Sequence, residues 1–579
     1  MPENAENAES AEKKGENAGK GESAGPPPAP APPPASAPAP PSAPVAPPAP
    51  GHPGYDPVAW HTWRTYQHHQ HVQQAKAAAA AKAANSMWRR VRPAEAAPIG
   101  PVTLVAVLAA GLAAAVALGD GMGPGLLLAA LPAMVAAYAA ARAAGRKARP
   151  WSLLWVLGCV ALLGVPALRD SAWPSTLAIL AAVLLAALAL HGTRSWPGVL
   201  LSPLGFLDSA VTGVGWAWAG VRARGGGLGR ERWLPVAKAG VVAVVLLLVF
   251  GALFASADAA FADLLEGLTP DVSVGDSPLT VLLFAAGALL ALAAARTAAA
   301  PHRWDRIETR PGKARSRVEW SLPLILLNLL FAGFNAVQLA VLFGGYDKVL
   351  ESTGLTYAEY ARQGFWQLLW ATVFVLAVIA LALRWAPRGT AGDRRLVRGV
   401  LGTLCLLTLV VVASAVRRMD LYVDAYGLTR LRLSVVTVEL WLGLVLVLLM
   451  AAGVVGGRWL ARVVVGSAAA TVLAFGLVSP DGIVAQSSVT RYERDGKIDV
   501  AYLRELSADA APALDRLPEP QRSCALIGIR DQLRDAGDVP WYATSLGEYR
   551  AREILRERPV TATAAGKCRR LGYGSSGRG

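Results

Sequence analysis

The stretch Gly399–Val455 reads GVLGTLCLLTLVVVASAV (399–416), RRMDLYVDAYGLTRLRL (417–433) and SVVTVELWLGLVLVLLMAAGVV (434–455). Two apolar runs flank a short loop of mixed charge. A helix rises 1.5 Å per residue, so about 20 apolar residues cross roughly 30 Å of hydrocarbon. Both flanking runs meet that length, which makes the stretch a helical hairpin through a bilayer.

The rest of the chain repeats the pattern. The protein has 579 residues, 54% of them hydrophobic, and only 17% carry charge, against about 25% in an average soluble protein. Mean hydropathy is +0.38. Eleven spans are expected, at about 102–118, 125–141, 151–168, 174–190, 235–256, 278–295, 320–343, 365–383, 399–416, 434–456 and 463–478. The fold class is therefore all-α, a polytopic transmembrane bundle. The net charge of +15 is read loop by loop as topology and not as a nucleic-acid footprint, since most Lys and Arg flank apolar runs. The segments 76–101, 142–150, 191–238, 296–317, 384–398 and 458–462 together hold 29 Lys and Arg, and the alternate segments only seven. That places the N-terminus in the cytoplasm and, with an odd number of spans, residues 479–579 outside. The segment 191–234 contains LGFLDSAVTGVGWAWAGVRAR and is expected to lie flat at the inner interface; a span here would break the charge asymmetry.

Residues 1–57 form an Ala/Pro-rich arm whose composition predicts disorder. Residues 58–101 begin with an Ala-, Gln- and Lys-rich helix. The bundle occupies 102–478, and 479–579 form a small helical extracytoplasmic tail, including YERDGKIDVAYLRELSADAAPALDRL. The tail carries Cys524 and Cys568, which a disulfide would join in an oxidising compartment. Cys159 and Cys405 lie in spans as packing residues.

Few motifs carry chemistry. His52, His61, His68, His69 and His71 crowd the arm, where HHQH is either a metal-binding tract or, more simply, a polar helix surface. His191 and His302 fall in inner loops. No phosphate-binding loop, HExxH or GxSxG is present, and no metal or cofactor is expected. Polar residues inside spans are more informative, because each costs free energy unless paired. Asn328, Asn335 and Gln338 form one stripe, read either as interhelical glue or as a cavity wall. Glu439 sits one to two turns inside a span and needs a partner. Arg432, seven residues before it, is the proposed one. In the opening loop, Met419, Tyr422, Val423 and Tyr426 share one helical face, opposite Arg417, Asp420 and Asp424. The loop is expected to be an amphipathic helix on the outer surface, closed by Gly427. Arg430 is left as the residue best placed for an external anion. Arg362, in the preceding outer loop, joins Tyr422, Tyr426, Arg430 and Arg432 as an outer-face site for an anion or a partner.

Four stretches also carry a family resemblance: FNAVQLAVLFGG (334–345), GLTYAEYARQGFWQLLWA (354–371), MDLYVDAYGLTRLRL (419–433) and YERDGKIDVAYLRELSADAAPAL (492–514). In this order they resemble bacterial multipass membrane proteins grouped as domains of unknown function 4153 and 4173, over roughly residues 230–515. The resemblance implies an integral membrane protein without an established activity and supplies no catalytic residue.

Three function classes stay open. The first, and favoured, is a non-catalytic protein of the cell envelope with a regulatory, signalling or assembly role. It would meet the bilayer and, at the outer face, another envelope protein or an anionic lipid. The second is a transporter with a polar path along Asn328, Asn335, Gln338 and Glu439. The third is an enzyme acting on an anionic lipid-linked substrate at the outer leaflet.

Overall fold

The computed structural model describes residues 47–48, 50–224, 277–307, 312–344, 365–560 and Cys568, apart from Ala148, Arg388 and Asp538. The arm up to residue 46, the span expected at 235–256, nearly all of the acidic loop 257–277 and the outer loop carrying Arg362 lie outside these residues. Contacts divide the chain into residues 1–84 and 85–579. Most of α1 (Pro57–Val91) belongs to the first unit; all helices that follow belong to the second.

Every regular element among the described residues is helical. The helices are α2 (Pro101–Ala117), α3 (Gly125–Ala143), α4 (Pro150–Leu163), α5 (Val165–Leu168), α6 (Ala172–His191) and α7 (Trp196–Arg224). Then come α8 (Ser277–Ala299), α9 (Arg317–Gly344), α10 (Phe365–Trp385), α11 (Ala391–Tyr426), α12 (Arg430–Val455) and α13 (Leu460–Val478). Ten are long and apolar enough to cross a membrane, α4 and α5 counting as one and the 17-residue α2 falling short. Local chemistry sets their starts. Proline opens α2 and α4 at a position whose N–H has no helical partner. Thr390 and Asp393 form a capping box for α11, and Thr429 caps α12.

Helix α11 corrects one expectation. It runs unbroken for 36 residues, so the charged stretch 417–426 continues the span instead of forming a separate surface helix. Gly427, at φ 82°, ends it, as its residue type predicts.

Small residues let the helices approach. Ala106 and Ala110 of α2 are buried against Ala291 and Ala295 of α8 and Ala136 and Ala140 of α3. A Cβ on Gly287 would sit 2.5 Å from that of Ala114, so only glycine fits. In lipid, where tails are as apolar as side chains, such close backbone packing is what drives association. A second core joins α9, α10, α11 and α12 through Trp320, Leu324, Ile379, Leu404 and Leu446; Trp320 Nε1 donates to Ala382 O at 2.9 Å. A third joins α4, α6 and α13 around Trp155 and Leu185. The outside is equally apolar, with Leu112, Leu157, Leu282, Leu330 and Phe374 exposed.

The loops gather in two groups. At one end Arg146 donates to the carbonyls of Ala298 and Leu190, Asp305 accepts from the N–H groups of Arg194 and Ser195, and Arg462 lies over Trp151. At the other, Arg169 donates to Leu477 O, Gly125 N–H donates to Tyr542 O, and Arg430 meets Asp481. These are the same two groups that the Lys and Arg count separates.

Helix α7 has the length and composition of a span, yet its contacts stay at the Lys/Arg-rich end. Gly198 backs onto Thr193 and Asp305, Gly205 onto His191 and Trp304, and Gly220 onto Ile99. Asp208 meets His302, and Trp216 Nε1 donates to Ala97 O. Successive turns thus track from the end of α6 past the end of α8 to the segment before α2.

The chain beyond α13 folds as short helices: α14 (Pro480–Asp495), α15 (Val500–Leu503), α16 (Ala511–Leu514), α17 (Gln521–Asp535) and α18 (Leu546–Glu557). They share a core of Val484, Leu503, Leu506, Leu514, Leu526 and Ile529, each at most 1% exposed. Cys524 and Cys568 are joined in a disulfide within it, 44 residues apart in sequence.

Candidate functional site

Two buried aspartates, Asp481 and Asp509, lie where this C-terminal region meets the bundle. Gly427 and Thr429 stop α11 and start α12, which fixes Arg430 at the first position of α12. Its Nε and Nη2 donate to Oδ1 and Oδ2 of Asp481, both at 2.6 Å. Nη2 also reaches Glu505 O, and the Arg430 N–H donates to Tyr502 Oη, each at 2.9 Å. This is the planar two-pronged geometry that favours arginine over lysine. Asp481 is fully buried and accepts a further bond from Ser507 N–H at 2.9 Å. Burial opposes ionisation of its carboxyl, but the Arg430 fork and the Ser507 donors outweigh burial and hold it below the usual carboxylate range.

A second brace stands beside the first. Asp170, in the turn between α5 and α6, accepts from Ala508 N–H at 2.9 Å. Asp509 returns the bond, accepting from Asp170 N–H at 3.1 Å. Arg169 lies 3.9 Å from Asp509. Gly547 presses on the same carboxylate, leaving no room for a Cβ. Burial pushes the Asp170 carboxyl up to about 7; the Ala508 N–H opposes this, while Glu548, Asp509 and Asp481 add to it. Burial raises Asp509 as well.

Arg430 is therefore bound to an internal aspartate, where the sequence left it for an external anion. Arg432 does not meet Glu439: its guanidinium lies 4.2 Å from the Tyr422 ring centroid and donates to Gly427 O. Tyr426 is exposed and stacks edge-on against Tyr422. Glu439 is fully buried, with Thr372 Oγ1 at 3.4 Å from Oε1. The three amides of α9 turn to α11. Asn328 donates to Val400 O at 3.0 Å and Asn335 to Leu407 O at 2.9 Å. Gln338 Oε1 accepts from Ser414 and Arg418, each at 3.0 Å. The seven-residue step on α9 is matched by a seven-residue step on α11, so the stripe is a ladder between two helices.

The sequence reading missed Asp170, Asp481 and Asp509. Two had a signal. Ser479-Pro480-Asp481-Gly482 has the form of a helix start directly after a span, and Arg169-Asp170 is a charged pair in a three-residue turn. At the other end, His191 and His302 come together with ring centroids 6.0 Å apart, and His302 stacks on Trp304. His302 Nε2 lies 3.2 Å from Asp208. Among the described residues no three His, Cys, Asp or Glu side chains are grouped to hold a metal.

A family model described as "Domain of unknown function (DUF4153)" matches residues 157–517, well over half of the chain and further toward the N-terminus than the resemblance seen in the sequence. No curated protein and no solved structure matches. The chain belongs to the domain of unknown function 4153 family. Asp170, Arg430, Asp481 and Asp509 lie inside the matched region; α2, α3 and the disulfide lie outside it.

Proposed function

We propose that this integral membrane protein is a non-catalytic scaffold of the cell envelope, whose bundle presents the C-terminal region as a docking surface. The N-terminus and the Lys/Arg-rich loops face the cytoplasm in this reading, and the C-terminal region faces outward, because cationic loops resist translocation. The observation that carries the proposal is the bidentate Arg430–Asp481 pair. A buried ion pair adds little net stability but is costly to leave half-made. It therefore suits fixing one arrangement of two parts. The polar ladder supports the reading too: the amides that a transport path would use are bonded to α11.

The surface offered outward includes Trp541, Leu546 and Tyr549, which are 69%, 37% and 55% exposed. Aromatic residues of this kind anchor protein interfaces. A photo-crosslinking amino acid placed at Trp541 or Tyr549 in living cells should give a discrete protein adduct. The adduct should fade when Arg430→Gln loosens the presentation. Adducts to lipid alone, or none, contradict the scaffold role. A reporter active only outside the cytoplasm should be silent after residue 310 and active after 579; the reverse result overturns the orientation.

A further inference from the structure

We infer that the Lys/Arg-rich end of the bundle carries a binding site for a phosphate group, supplied by the headgroup of an anionic phospholipid. Two adjoining cavities of about 170 and 130 Å³ open there. The larger is lined by Arg149, Trp151, Trp155, Arg194 and Arg462, and the smaller by Arg146, Lys147 and Arg149; Ser152 and Gly192 border both. Among the described residues no carboxylate lines either. Asp305, close by in the same loop cluster, already accepts from the N–H groups of Arg194 and Ser195 and from Ser195 Oγ at 2.7 Å.

Two of the cations are held in place by the fold. Arg146 is fixed by the carbonyls that end α6 and α8. Burial, and then the neighbouring Arg149, disfavour its charge, so an anion here relieves a like-charge cluster. Arg462 is laid over the Trp151 ring, 5.3 Å from its centroid, and its Nε is buried without a hydrogen-bond partner among the described residues. Helix α4 begins at this point without a side-chain cap. The Trp151 and Ser152 N–H groups and the positive end of the helix dipole therefore face the same space.

Size and surroundings narrow the ligand. Whole-metabolite pockets run to about 300–1,000 Å³, and these cavities are smaller, suited to a phosphate with the remainder of the molecule outside. Beside the mouth, α4 exposes Trp151, Leu153, Leu154 and Leu157, an apolar strip that acyl chains would cover. Basic pockets between spans on the cytoplasmic side hold anionic headgroups in this way.

The test uses the full chain in a zwitterionic detergent, titrated separately with phosphatidylglycerol, phosphatidylcholine and inorganic phosphate, with the rise in Tm as readout. Phosphatidylglycerol should raise Tm more than phosphatidylcholine. Its apparent affinity should fall by about tenfold in Arg149→Gln/Arg194→Gln, as two charge-assisted bonds are lost. Both side chains are exposed, so the ligand-free Tm should match wild type; Arg194→Gln alone gives an intermediate loss. Arg394→Gln/Arg395→Gln, exposed basic residues that line neither cavity, should bind as wild type. If inorganic phosphate stabilises and phosphatidylglycerol shows no preference, the lipid source is overturned. Equal stabilisation of all variants, or of none by any ligand, overturns the site.

Discussion

Two clusters of charge, one at each end of the bundle, are built in opposite ways. At the C-terminal end, Arg430 is matched by Asp481, and Arg169 faces Asp509 while donating to Leu477 O. At the other end, Arg146, Lys147, Arg149, Arg194 and Arg462 surround two cavities that no acid among the described residues lines. Matched charge holds two parts of one chain together. Unmatched charge leaves donors for something the chain does not contain. The contrast separates residues that build this protein from residues that let it bind, although nearly all are arginines.

Substitutions should break that contrast unequally. The largest loss is expected from Asp481→Asn. It keeps the shape and strands Arg430, which typically costs about 3–5 kcal/mol for a fully buried pair. Arg430 is one-third exposed, so about 2–4 kcal/mol is expected, read as a lower Tm and faster proteolysis after residue 478. Second is the pH response of Asp170. Its folded carboxyl is raised from 3.8 to about 7, so its contribution is complete below about pH 4 and is lost as pH rises through about 7. Asp481, held low, acts oppositely, and its contribution is lost only as pH falls through its depressed value. The wild-type Tm should therefore decline from about pH 5 to 8, by the equivalent of roughly 2 kcal/mol after discounting for partial exposure. Asp170→Asn should flatten that decline; a slope unchanged in this variant assigns it elsewhere.

A smaller effect is expected in the polar ladder. Asn335→Ala removes one interhelical bond worth about 0.6–2 kcal/mol and should lower Tm without altering the C-terminal region's proteolysis. The smallest belongs to the basic end. Arg149→Gln/Arg194→Gln should change ligand-free stability by less than about 0.5 kcal/mol, the usual range for exposed substitutions. A large loss would mean that these arginines are structural after all, and the two ends alike.

Much of the architecture was legible because a bilayer leaves the backbone few choices. The spans appear as apolar runs, Gly427 as a stop, and the loop charges sort as the fold sorts them. The site was less legible. The Arg432–Glu439 pairing followed from shared helical register, but register says only which residues of one helix are neighbours. The partners came from elsewhere: Thr372 for Glu439, Tyr422 for Arg432 and, for Arg430, an aspartate 51 residues on. Tertiary pairing of this kind leaves no periodic trace. Helix α7 shows the limit of length and hydropathy taken alone, which allow a span where the contacts follow one end of the bundle.

The central claim is that Arg430 and Asp481 fix the C-terminal region to the bundle. A double-mutant cycle of Arg430→Gln and Asp481→Asn, read by thermal unfolding of the purified full chain, measures this directly. Each single change should be costly and the double little worse than either, giving a coupling of about 2 kcal/mol or more. Losses that simply add, with a coupling near zero, would contradict it.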